Sequence, residues 1–152
     1  MKKSFLAAAV AVVLGAGVAQ SAFAQVKPEI LVKQRQAVMT LQGKYFGPLA
    51  AVAQGKAPYD TAAVQRNAGF LDALSQMPWD GFQPSTKDET NTKALPAIYE
   101  NPAKFKEAQD RYRGAIGKLV AASKGGDEGA FKAAAGEVGK SCGGCHESFR
   151  AK

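Results

Sequence analysis

The sequence predicts an all-α protein, an antiparallel four-helix bundle, from three features. Apolar residues recur at helical spacing in four separate stretches, β-branched residues are few against abundant alanine, and no run alternates apolar and polar for long. The chain has 152 residues, 46% apolar and 22% charged, which suits one packed domain.

The first helix begins at Pro28, whose missing N–H and fixed φ suit the first helical position. Leu31, Val38, Tyr45 and Val52 repeat at seven, with Leu41 and Leu49 between them, giving a seam that faces the bundle. Val32, Gln36, Met39, Gly43 and Phe46 form a second stripe on a neighbouring face. Pro48 removes a backbone donor and is expected to bend this helix. Asp60 caps the second helix, which carries Val64, Asn67, Leu71 and Leu74 inward and ends before Pro78, with Met77 packing its end. From Pro78 to about Asn101 runs a long connection, with one turn of helix around Ala97 to Glu100. Asn101 caps the third helix and Pro102 opens it; its stripe is Phe105, Ala108, Tyr112, Ile116 and Leu119, and Gly125-Gly126 stops it. Asp127 caps the fourth, with Phe131, Ala135, Val138, Cys142, Cys145 and Phe149 on one stripe.

Residues 1–24 are read as a cleaved secretory signal peptide: Lys2 and Lys3, an apolar or glycine run from Phe5 to Ala19, then Ala22-Phe23-Ala24 as the small-x-small cleavage pattern. The apolar run is too short to span a bilayer, so the mature chain, residues 25–152, has no membrane span and is exported to the periplasm. Removing the two lysines takes the formal charge from +7 to +5. The remaining cations are interleaved with acids, as Lys104, Lys106, Arg111 and Arg113 are with Glu107 and Asp110, which describes a solvated face and no nucleic-acid stripe.

Ser141-Cys142-Gly143-Gly144-Cys145-His146 contains C-x-x-C-H. Thiols three apart on one helical face can reach two neighbouring substituents of a planar ring, and the adjacent imidazole can ligate its metal; the pattern is that of covalent c-type haem attachment. A thioredoxin-like motif belongs after a strand, a structural zinc site needs four Cys or His ligands where this chain has three, and a helical C-x-x-C disulfide would be strained. With His146 as the one histidine, only Met39 and Met77 remain as thioether candidates for a second axial ligand. Met39 is read as lying over the iron without binding it; true ligation and ordinary core filling remain open.

The C-terminal motif, Lys27-Pro28-Glu29, Arg35-Gln36 followed by Met39-Thr40, Ala57-Pro58-Tyr59-Asp60, Pro78-Trp79 with Phe82, and the run Cys142 to Arg150 together resemble cytochrome c′, the class II c-type cytochromes, along the whole mature chain. The resemblance implies one haem c per chain, attached through Cys142 and Cys145, with His146 as proximal iron ligand. It implies that Arg35 and Gln36 contact haem propionates and that Met39 takes the distal position beside Thr40. Trp79, Phe82 and Phe149 would line the pocket, Thr92 or Lys93 would supply a contact from the long connection, and Arg150 would stand beside the proximal face.

The same resemblance implies five-coordinate, high-spin iron that binds nitric oxide and carbon monoxide while discriminating against dioxygen, in a homodimer packed through the first two helices. A distal pocket without a hydrogen-bond donor fits that preference. The alternative is a low-spin electron carrier, with Met39 as sixth ligand, serving an unidentified periplasmic redox partner. Catalysis is not expected, because Gln36 and Thr40 do not titrate near neutrality. Ala37, Ala50, Ala51 and Ala53 on the first helix are compatible with subunit contact or with an exposed face.

Overall fold

The computed structural model describes residues 26–152, so the signal-peptide reading lies outside the described residues. Four long helices form the bundle: α1 (Pro28–Ala53), α2 (Thr61–Leu74), α3 (Pro102–Gly125) and α4 (Glu128–Phe149). Packing runs α1 on α2, α2 on α3, α3 on α4 and α4 back on α1, so the helices close a ring in chain order. Cross-helix contacts run in opposite senses: Gln65 near the start of α2 meets Ser123 near the end of α3, and Lys118 in the last third of α3 meets Glu137 in the first half of α4. The neighbours are therefore antiparallel.

Local chemistry sets the helix ends. Pro28 opens α1, and Glu29 in the first turn complements the helix dipole. The helix continues through Pro48, where both Pro48 and Lys44 face solvent. It stops at Gly55, whose φ of 71° lets the Lys56 N–H reach Ala51 O at 2.8 Å and the Gly55 N–H reach Val52 O. Asp60 accepts from the Ala63 N–H at 2.8 Å, and Asp127 accepts from the Gly129 and Ala130 N–H groups. Asn101 holds the cap position of α3 without a side-chain capping bond, contrary to the sequence expectation; Pro102 alone pre-sets that turn.

Between α2 and α3 the connection makes single turns at Trp79–Gly81, Pro84–Thr86 and Ala97–Glu100. The inward stripes of α2 and α3 are buried as their spacing predicts. Two residues depart from expectation. Leu41 is 39% exposed, because the α1 seam drifts away from the core, and Met77 is 52% exposed beyond the end of α2.

Candidate haem site

A cavity of about 790 Å³ opens between the N-terminal half of α1 and the C-terminal half of α4. Every site residue singled out from the sequence lines it: Arg35, Gln36, Met39 and Thr40 from α1, Trp79, Phe82, Thr92 and Lys93 from the connection, and Cys142, Cys145, His146, Phe149 and Arg150 from α4 and its end. Its walls are mainly apolar and aromatic.

On α4 the helical pitch puts Cys142 and Cys145 on the cavity side, half-buried and unbridged. Burial pushes the Cys142 thiol up, and neighbouring Cys145 adds to this, while the Ser141 hydroxyl pulls the other way. Burial also raises Cys145, partly opposed by Arg111. Both groups are thus protonated thiols at neutral pH. His146 moves the other way, lowered by burial and then by the Arg150 charge. Its imidazole is neutral at pH 7 and keeps a lone pair for a metal.

The connection and the C-terminus close one side together. Leu95 N–H donates to Phe149 O at 3.0 Å, Ala151 N–H donates to Lys93 O at 2.8 Å, and Ala94 pairs with Arg150 in an isolated antiparallel bridge. Lys93 Nζ donates to Lys152 O at 3.2 Å. Thr92 and Lys93 both reach the cavity, and their polar contacts differ: the Thr92 hydroxyl accepts from Arg35 Nη2 at 2.9 Å.

Arg35 is 2% exposed, and its guanidinium lies 4.4 Å from the Phe82 ring centroid. Gln36 Nε2 donates to Asn91 O at 2.8 Å, which ties the same turn of α1 to the connection. Trp79 is fixed by its indole N–H, 2.7 Å from Ser75 O, and by rings on three sides, Phe82, Phe105 and Tyr112.

These features fit haem c. Two free thiols one turn apart suit two thioether bonds, a neutral imidazole follows them, and the aromatic walls enclose room for a flat apolar ring. The buried guanidinium, with no carboxylate partner among the described residues, suits an anionic edge.

Sequence reasoning missed several residues that line the cavity as well. Phe46 lay on the second stripe of α1, but Phe105, Ala108 and Tyr112 were read only as core. Helical spacing marks an inward face without saying whether side chains or a cofactor fill the space beyond it. Tyr112 is buried beside Cys142, and burial, then repulsion from the thiolate Cys142 becomes at high pH, push its phenol well above the usual range, so it stays neutral.

Fold and site define a four-helix-bundle protein that carries covalent haem c. The sequence model of the family Cytochrome C′ matches residues 31–150. The chain belongs to the cytochrome c′ family. It is 42% identical over 126 residues to cytochrome c′ of Rubrivivax gelatinosus, covering 83% of this chain and 98% of that one. The crystal structure of that organism's cytochrome c′ superposes with a TM-score of 0.80 over 83% of this chain and 98% of the other, at 41% identity. A nitric oxide complex of a cytochrome c prime variant from Alcaligenes xylosoxidans superposes with a TM-score of 0.78 at 41% identity, over 84% and 98%.

Proposed function

We propose that this is a periplasmic haem protein that leaves the distal iron position open, takes nitric oxide and carbon monoxide there, and passes electrons to a periplasmic redox partner. When bound, the haem supplies an iron centre that takes small neutral ligands and changes its charge by one electron. Everything else in the reading concerns the residues around it.

One observation carries it: the polar side chains that α1 brings to the cavity, apart from Arg35, are engaged away from Met39. Thr40 Oγ1 donates to Gln36 O at 2.9 Å, Gln42 Nε2 donates to Leu74 O at 2.9 Å, and Gln36 is held by Asn91 O. Met39 and Phe46 are left as the apolar surface of that wall. Met39 and Phe46 crowd an incoming ligand and themselves offer no hydrogen bond to a charged one. The nitric oxide complex of the relative supports the gas-binding reading.

Gln36, Met39, Thr40, Gln42 and Phe46 on the α1 wall carry no acid or base group, which supports a binding protein over a catalyst. The signal-peptide pattern supports the periplasm, and no helix among the described residues is long and apolar enough to cross a membrane. A homodimer is supported by exposed apolar side chains along one pair of helices: Ile30 and Leu41 on α1, Phe70 on α2 and Met77 just beyond its end, with Tyr45 and Phe70 ring centroids 4.7 Å apart. Of the four alanines singled out from the sequence, only Ala37 is exposed. Sedimentation across a dilution series checks the dimer, and a monomer throughout removes it.

Optical and electron-paramagnetic spectra of the ferric and ferrous protein, with and without nitric oxide, test the site. High-spin signals in both states with nitric oxide taken up by the ferrous protein are expected, and Met39→Ala should raise the carbon monoxide association rate. The second reading, a low-spin carrier with Met39 as sixth ligand, rests on Met39 lining the cavity. Low-spin signals that turn high-spin in Met39→Ala would put it first.

A further inference from the structure

The side chain of Arg35 has five N–H donors, and the chain accounts for three of them. Nη1 reaches Gly81 O at 2.7 Å and Thr86 Oγ1 at 3.0 Å, with Tyr99 Oη further off at 3.4 Å; Nη2 reaches Thr92 Oγ1 at 2.9 Å. Nε–H and one Nη2 hydrogen have no partner among the described residues, on a side chain 2% exposed that lines the cavity. Each of the engaged acceptors is neutral, so the positive charge is met by dipoles and the Phe82 ring face, with no carboxylate among the described residues. Thr86 is the hub of this arrangement: it is 1% exposed, its Oγ1 lies 2.8 Å from both Gln83 O and Tyr99 Oη, and it accepts from Arg35.

The hydroxyl geometry has a consequence. Thr86 has one hydroxyl hydrogen to donate; with it on Gln83 O at 2.8 Å, the nearer of the two carbonyls it reaches, Tyr99 O–H donates to Thr86. Thr86 Oγ1 then accepts twice, from a phenol and from a guanidinium, and cannot turn without breaking one of these bonds. Gly81 closes the other side, where any Cβ would sit 2.8 Å from Arg35 Cβ. The guanidinium plane is thus held from the connection, with its two free donors left for the cavity.

We propose that Thr86 and Tyr99 are positioning residues: they fix the Arg35 guanidinium so that its free N–H pair meets a carboxylate of the bound haem. They touch neither ring nor iron and act only through Arg35. The inference rests on haem filling this cavity and is independent of whether the iron is five- or six-coordinate. A carboxylate held by a fixed guanidinium ionises at lower pH than a loosely met one.

The test is the midpoint potential of the holoprotein as a function of pH, in wild type, Thr86→Val, Thr86→Ser and Tyr99→Phe. Thr86→Val keeps the shape and removes the acceptor. The acid-side break in the curve, where the carboxylate titrates, should move up by about one pH unit, a tenfold gain in proton affinity. Thr86→Ser should restore it, and Tyr99→Phe should move it part of the way. A purely structural role predicts a lower urea midpoint with the break unmoved, and that result would overturn the proposal. If Thr86→Val fails to accumulate as holoprotein, Tyr99→Phe decides alone: an unmoved break there also overturns it. Low-spin spectra with a displaced break would sink the open-site reading and leave this one standing.

Discussion

The two ends of the bundle are built from the same four helices and held by different forces. At one end Leu49, Val64, Leu71, Ile116, Leu119 and Phe131 are all 1% exposed or less and pack in one apolar cluster. At the other, Ile98, Phe105, Ala108 and Phe149 form a smaller cluster beside the cavity, and polar tethers from Arg35, Gln36, Trp79 and Thr86 hold the connection in place. The difference follows from α2, which ends at Leu74 while α1 spans Pro28–Ala53, so the connection replaces a helical wall over the haem end. One end stabilises itself by apolar burial. The other is completed by its cofactor.

The largest effect should come from removing that cofactor. Replacing Cys142 and Cys145 by Ala together should abolish covalent haem, so that acid-acetone extracts whatever haem the protein holds. Amide exchange should then lose protection over residues 31–46 and 79–99 and keep it over 112–138. Uniform loss across all four helices would break the distinction between the ends.

Phe131→Ala attacks the closed end instead. Phe131 is fully buried against the bundle core, with Tyr59 in edge contact at 5.4 Å, so truncation should cost about 3–5 kcal/mol in urea unfolding. The optical spectrum of the folded variant should match wild type. A changed spectrum would mean that the ends are coupled through α3 and α4.

The closed end was the legible one. Its stripes on α2, α3 and α4 follow helical spacing, because apolar burial is the force that spacing encodes. The haem end was legible where chemistry is local: C-x-x-C-H names its cofactor, and Arg35-Gln36 with Pro78-Trp79 named the family. What escaped depends on long-range pairing. Nothing near Thr86 or Tyr99 in the chain points to Arg35, more than fifty positions upstream, and only the folded connection brings them together. Thr92 and Lys93 are both on the cavity, yet only their side-chain contacts in the folded chain show that one serves Arg35 and the other ties down the C-terminus.

Gly81→Ala sharpens the comparison from the haem side. Its new Cβ would sit 2.8 Å from Arg35 Cβ and 3.0 Å from Leu31 O, and neither atom is the free end of a flexible side chain. The substitution should cost about 1–3 kcal/mol and displace Arg35. Unlike Phe131→Ala, it should alter the haem spectrum and the pH dependence of the potential. A loss of stability without either change would show that the connection can shift and carry Arg35 with it.

The smallest effects belong to polar groups of the closed end, and they test whether burial alone holds it. Asp127 satisfies two N–H groups at the start of α4, so Asp127→Ala should cost about 1 kcal/mol. Lys118 and Glu137 join α3 to α4 at 2.8 Å, but their side chains are 66% and 50% exposed, so solvent and salt screen the pair. Lys118→Ala should move the urea midpoint by the equivalent of no more than about 0.5 kcal/mol, with less effect still in high salt. A cost near that of Phe131→Ala would mean that the α3–α4 contact relies on charge, and the contrast between an apolar end and a tethered end would fail.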